Sequence, residues 1–199
     1  MSSSSQQITG HDGRIYQVKQ LSKQLASKFA TELLQIHNII PYVSWNSKDL
    51  LSSASKQGVA YRNKWRLSYM VTVGEEIAGL LVAYKREYSE MHPVEAIYIH
   101  RLAVAPSHQQ NHVGSQLLET ALRTYATEEP DVEYYTIQTN DEASNQNVIK
   151  FYETRGFARD VKVIYPDKVD ILMKMSRKKV LHKLQATLID TLHSEEVIA

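Results

Sequence analysis

The chain has 199 residues, 43% hydrophobic and 23% charged with a formal charge of +1, values ordinary for one globular domain and too weak a net charge to hold nucleic acid by its field. It contains no cysteine, which excludes disulfides, a thiolate nucleophile and thiolate-bound zinc and suits a cytoplasmic protein. No run approaches the ~18 apolar residues of a membrane-spanning helix, so no membrane partner is expected, and residues 1–13, rich in Ser and Gln, read as a flexible tail.

Ile15 to Leu21 alternates like a first strand, and Ser22 caps a helix whose apolar face is Leu25, Phe29, Leu33 and Leu34. A second helix is expected over Ser47 to about Ala60. Trp65 to Val73 and Ile77 to Tyr84 read as antiparallel strands joined at Gly74-Glu75-Glu76. Ala96 to Val104 is a long strand that stops before Pro106, after which Val113, Leu117, Leu118, Ala121, Leu122 and Tyr125 recur at helical spacing. Tyr134 to Thr139 is the next strand, Gln146 to Arg155 the next helix, and Val161 to Ile164 with Val169 to Met175 a closing hairpin. A meander followed by strand-helix units predicts a layered α/β domain over residues 14–176. Beyond it, over residues 177–199, Val180, Leu181, Leu184, Leu188 and Leu192 continue at helical spacing, opposite Arg177, Lys178, Lys179 and Lys183. Such an apolar stripe is buried on its own domain or on a second copy, which leaves a homodimer open.

The stretch from Leu102 to Leu118 is the most informative, a strand, a polar turn and a helix start that read either as an anion site or as an ordinary strand-to-helix loop. A helix start leaves backbone N–H groups without partners at the positive end of the macrodipole, which suits a phosphate. Gly114 stands there although the chain has only seven glycines, and Ser115 adds a hydroxyl.

Leu102-Ala103-Val104-Ala105-Pro106 followed by Gln109-Gln110-Asn111-His112-Val113-Gly114 resembles the coenzyme A signature of the GNAT N-acetyltransferases. One departure is His112, which stands where the family usually has its first glycine. Asn145 to Phe157, with Phe151-Tyr152 and Gly156-Phe157, is similar to the family's second motif almost residue for residue. The resemblance covers roughly residues 13–175. It implies a mixed, mostly antiparallel sheet of about six to seven strands flanked by helices, with the C-terminal helix as an addition. It also implies acetyl-coenzyme A as acyl donor and direct attack by an amine without an acyl-enzyme.

Carried over residue by residue, the resemblance places the donor on Leu102, Ala103 and Val104, on Gln109, Gln110, Asn111, His112, Val113, Gly114 and Ser115, and on Asn145 and Tyr152. Tyr152 matches the tyrosine that protonates the thiolate. In an extended strand Tyr98 and His100 face one way and flank one pocket. The Tyr98 position holds a histidine or glutamate in relatives, so His100 is the candidate base, with Glu95 the alternative. No His-x-x-x-His pair with a matching carboxylate cluster appears, so no metal is expected, and His108 and His112 are candidates for holding phosphate. The acceptor is expected to lie among Tyr42, Trp45, Tyr61, Trp65, Tyr88, Glu87, Glu90 and Glu95, and to be the primary amine of a small molecule, with a protein lysine or N-terminal amine as the alternative. A non-catalytic acyl-coenzyme A-binding module is a further alternative.

Overall fold

The computed structural model describes residues 6–40, 44–56, 58–87 and 95–196, with side chains from 6 to 188. Tyr42, Tyr88, Glu90 and His92, and the side chains of Leu192 and His193, lie outside the described residues. Eight strands and seven helices are present among them: β1 Gln6–Thr9, β2 Ile15–Gln20, α1 Lys23–Lys28, α2 Ala30–His37, α3 Ser47–Leu51, α4 Lys64–Leu67, β3 Tyr69–Val73, β4 Glu76–Glu87, β5 Glu95–Val104, α5 Val113–Glu128, β6 Tyr134–Asn140, α6 Gln146–Thr154, β7 Ala158–Ile164, β8 Val169–Ser176 and α7 Arg177–Glu196. This is the mixed α/β fold with a mostly antiparallel sheet expected from the sequence. None of the described helices is long and apolar enough to cross a membrane.

The chain divides into two compact units, residues 1–86 with 98–121 and residues 87–97 with 122–199, and both β5 and α5 run from one into the other. In the first unit the strands follow chain order, β1-β2-β3-β4-β5, with β1 to β4 antiparallel. Their helices close a core of Leu21, Ala26, Leu33, Ile36, Leu50, Met70, Leu80 and Val82. In the second unit β6 pairs antiparallel with β8 from Tyr134↔Ser176 to Asn140↔Asp170, and β7 takes the outer edge of β8.

Four expectations change. Gln6–Thr9, expected to be part of a tail, form β1: they pair with β2 from Gln6↔Val18 to Thr9↔Ile15, and Ile8 is buried in a stretch whose composition alone looked unstructured. The helix begun at Ser22, whose side chain accepts from Leu25 N–H, breaks at Phe29 into α1 and α2. The helix expected from Ser47 to Ala60 stops at Leu51. Asn46 and Asp49 form a reciprocal capping box at its start, but Ser52 Oγ then bonds both the N–H (3.1 Å) and the C=O (2.6 Å) of Ala54. Serine hydroxyls competing for the backbone turn the chain out of the helix, and Ser55 Oγ does the same for Val59 N–H. Trp65 lies in α4 rather than in a strand.

In the second unit α7 starts directly after β8, with Val180 buried, Leu181 and Leu184 half-buried and Leu188 exposed. Three of its cations serve the ends of other helices. Arg177 Nε donates to Ala126 C=O (2.9 Å), Lys179 Nζ to Gly156 C=O (2.9 Å) and Lys183 Nζ to Arg155 C=O (3.0 Å). Cations at carbonyl-rich helix C-termini satisfy acceptors that have no intrahelical partner.

Candidate active site

Alternation along β5 sets the site. Ile99, Arg101 and Ala103 are buried on one face, while Tyr98, His100, Leu102 and Val104 line the other and remain partly accessible. Ala103 therefore belongs to the opposite face from Leu102 and Val104. Tyr98 and His100 stand together as expected, their rings 6.0 Å apart, with the Arg86 guanidinium 3.8 Å from the Tyr98 ring centre.

Around His100 is an aromatic cluster that joins Trp45 and Tyr61 of the expected acceptor pocket to His37 and Tyr84, which sequence spacing did not single out. Trp45 stacks on His100 at 4.7 Å and on His37 at 4.3 Å, and Tyr61 packs against Trp45 and Tyr84. Tyr84 also touches Tyr98 (5.5 Å) and His100 (6.1 Å). Beneath them Lys64 is buried, its Nζ donating to Leu50 C=O (2.6 Å) and Ser52 C=O (3.1 Å) and lying 4.6–5.0 Å from the Trp45, Tyr61 and Trp65 rings. Burial lowers Lys64 to about 8. Burial, reinforced by Arg101, His37, Lys64 and Arg86, holds His100 down at about 3, so it is a neutral imidazole throughout the physiological range. Its Nε2 is buried with no protein hydrogen-bond partner among the described residues. Of the acidic residues expected in the acceptor pocket, Glu87 ends β4 and is exposed. Glu95 begins β5 in the second unit, where its C=O accepts Glu133 N–H (2.9 Å), and Tyr42, Tyr88 and Glu90 are not described.

The turn between β5 and α5 is a short 3-10 segment, Pro106–His108, followed by Gln109 in extended conformation. Gln110 (φ 64°) and His112 (φ 60°) are left-handed, so the residue in the place of the family glycine adopts the backbone that glycine favours. The helix is closed by Gln116 N–H on His112 C=O (3.0 Å), so the N–H groups of Val113, Gly114 and Ser115 come ahead of that bond. Alternating left-handed residues at a helix start make main-chain concavities that accept anions, and no carboxylate occurs between Leu102 and Leu118. The donor set fits a pyrophosphate. Gly114 packs closely on the end of β5, where a Cβ would come 3.3 Å from Val104 Cγ2. Gln109 Nε2 donates back to Val104 C=O (3.1 Å), tying the turn to the end of β5.

His108 does not join the phosphate surface. It is fully buried, with Nδ1 3.3 Å from Tyr16 Oη and Nε2 3.0 Å from Glu76 Oε1 but off hydrogen-bond geometry there. Tyr16 Oη in turn donates to Asp12 Oδ2 (3.1 Å). The β1-β2 hairpin thus braces the turn, adding Gln116 Nε2 to Thr9 C=O (2.9 Å) and His11 N–H to Asn111 C=O (3.4 Å). His112 remains exposed, its ring 5.9 Å from that of His11.

Asn145 and Tyr152 lie in the second unit. Asn145 Nδ2 donates to Thr139 Oγ1 (2.8 Å) and Asn140 C=O (2.6 Å), tying the start of α6 to the end of β6. Tyr152 is buried on α6 with its ring edge-on to Phe151 and Phe157.

Residues 30–157 match the model of the acetyltransferase (GNAT) family. The chain belongs to that family. Its members are acetyltransferases that draw on acyl-coenzyme A. Curated relatives include N-alpha-acetyltransferase 30 of Homo sapiens, 32% identical over 109 residues (54% of this chain, 28% of the relative), and that of Xenopus laevis, 31% identical (54% and 38%). The chain thus spans well under half the length of these relatives. Solved structures of similar fold include Ard1 from Thermoplasma volcanium (TM-score 0.62, 18% identity, 81% of this chain and 97% of that one). Arabidopsis thaliana Naa50 in complex with the bisubstrate analogue CoA-Ac-MVNAL is another (TM-score 0.59, 17% identity, 81% and 98%).

Proposed function

We propose that the chain transfers an acetyl group from acetyl-coenzyme A to the α-amine at the N-terminus of a polypeptide, in place of the small primary amine suggested by the sequence. The observation that carries this reading is the 32% identity to N-alpha-acetyltransferase 30. The chemistry around His100 supports it. Cations and neutral rings surround a desolvated imidazole, so an acceptor must arrive as the free amine rather than as an ammonium. At pH 7 deprotonating an α-amine of pKa ~8 costs about 1.4 kcal/mol, against about 4.6 kcal/mol for a lysine side chain of pKa ~10.4. Such surroundings favour the α-amine.

In this reading the amine nitrogen attacks the thioester carbonyl, the C–N bond forms and the C–S bond breaks. The amine proton passes to His100, and the leaving thiolate takes a proton from Tyr152, giving the acetyl amide and free thiol. Main-chain groups of Leu102 and Val104 hold the pantetheine arm and the carbonyl oxygen, where one donor is worth ~3 kcal/mol of barrier. The Gln109–Ser115 turn holds the pyrophosphate.

The test is thiol release and product mass spectrometry with acetyl-coenzyme A over three acceptor sets: peptides with free N-termini, N-terminally blocked peptides carrying lysine, and small primary amines. Modification of the α-amine is expected. Transfer confined to lysine or to small amines would overturn the proposed acceptor, and cofactor binding without any acceptor-dependent release would point to a binding module.

A further inference from the structure

His37 is the last residue of α2, fully buried, and the mechanism just given does not use it. Its tautomer is set by neighbours whose hydrogen-bonding roles are unambiguous. Trp45 main-chain N–H can only donate and its C=O can only accept. The first lies 2.9 Å from Asn38 Oδ1 and the second 2.9 Å from Asn38 Nδ2, which orients the carboxamide. The oxygen so placed is 2.9 Å from His37 Nδ1, and an oxygen can only accept, so the imidazole proton sits on Nδ1. His37 Nε2 then carries a lone pair. It is buried and receives no protein donor among the described residues, as is true of His100 Nε2. The two imidazoles are 5.8 Å apart at ring centres and share the Trp45 ring.

A buried acceptor without a donor is destabilising unless function or water supplies one. We propose that His37 is a second proton acceptor of this site, its Nδ1–H tautomer fixed by Asn38, and that its Nε2 receives, directly or through a water, a hydrogen bond from the acceptor amine as that amine delivers its proton to His100. Burial is the largest influence on His37 and lowers its pKa to about 4; the charged groups acting on it are Arg101 of β5, Lys64 of α4 and Asp49 of α3, and the titratable ring facing it is that of His100, 5.8 Å away. The inference rests on the reading of His100 as the amine-facing base.

Two measurements test it. Nitrogen-15 NMR of the histidine side chains in the whole protein should find His37 as the Nδ1–H tautomer and neutral at pH 6, and Asn38→Ala should release that preference. A proton on Nε2 in the wild type would overturn the proposal, with or without turnover. His37→Phe keeps a ring on Trp45 and should lower kcat ~10-fold or more with the affinity for coenzyme A unchanged, while His37→Gln, which retains a hydrogen-bonding atom, should recover part of the loss. Wild-type kcat and an unaltered solvent isotope effect in His37→Phe would equally overturn it. If the wild type spares peptide N-termini and acetylates another amine, the acceptor reading falls, and the same kcat comparison on that amine still decides the role of His37.

Discussion

At the scale of single residues, the turn shows how a departure from a family pattern is absorbed. His112 accepts φ 60°, a backbone that costs a side-chain-bearing residue about 1–2 kcal/mol, and its exposed ring lies 5.9 Å from that of His11. His112→Gly should therefore bind coenzyme A equally or more tightly by calorimetry, and a large loss would mean that the imidazole itself holds phosphate. Gly114→Glu should abolish binding in a protein that still folds, since it brings a negative charge to the helix start where the N–H groups of Val113, Gly114 and Ser115 suit an anion. In α6, Tyr152→Phe removes the phenolic hydroxyl, and with it the proton donor, and should lower kcat ~10²-fold with little change in coenzyme A affinity. Unimpaired turnover in that variant would remove Tyr152 from the proton path.

At the scale of elements, the second motif's glycine has a packing explanation. Gly156 follows α6 with φ 104°, and a Cβ there would lie 3.2 Å from Lys179 Cε and Lys183 Nζ and 3.3 Å from Met175 Sδ. The same two lysines donate to Gly156 C=O and Arg155 C=O, so α7 is fastened to the end of α6 through the backbone that only glycine leaves open. Gly156→Ala should lose more than about 1 kcal/mol of unfolding free energy in urea, and Lys179→Ala with Lys183→Ala together about 1 kcal/mol or less, because both side chains are exposed. If Gly156→Ala matches the wild type, α7 is not packed as described.

At the scale of the whole molecule, His37 at about 4 and His100 at about 3 make stability depend on pH. Unfolded histidine titrates near ~6.5, so below that pH the unfolded chain binds protons that the folded one refuses. Stability from this source is complete above pH 6.5 and is lost as pH falls toward the folded values. Each histidine contributes about 1.4 kcal/mol per pH unit within that window, about 2.7 kcal/mol per unit for the two. Urea unfolding from pH 6.5 to 4.5 should show this slope in addition to that of the carboxylates, and His37→Phe should remove roughly half of it. An identical slope in the variant would show that His37 is not held neutral. The same shift removes His100 from the neutral part of the rate profile: its acidic limb should follow the acceptor amine near pH ~8 rather than a histidine near ~6.5.

The local pattern determined β5, α5 and α6, because period-two and helical spacing record which side chains must be buried: Val113, Leu117, Leu118, Ala121, Leu122 and Tyr125 all are. It also placed Tyr98 beside His100, a consequence of strand geometry that needs no partner. Only the tertiary structure decided what each buried group faces. His108 and His112 are indistinguishable in sequence, yet Tyr16 of the N-terminal hairpin takes one into the interior and leaves the other at the surface. β1 became a strand because β2 offered it a partner, not because of its composition. His37, Asn38, Trp45 and His100 come from two ends of the unit, and nothing in their spacing announces that one carboxamide sets a tautomer 2.9 Å away. A hydrogen bond depends on the atom opposite, and for side chains distant along the chain that atom is chosen by packing rather than by local pattern.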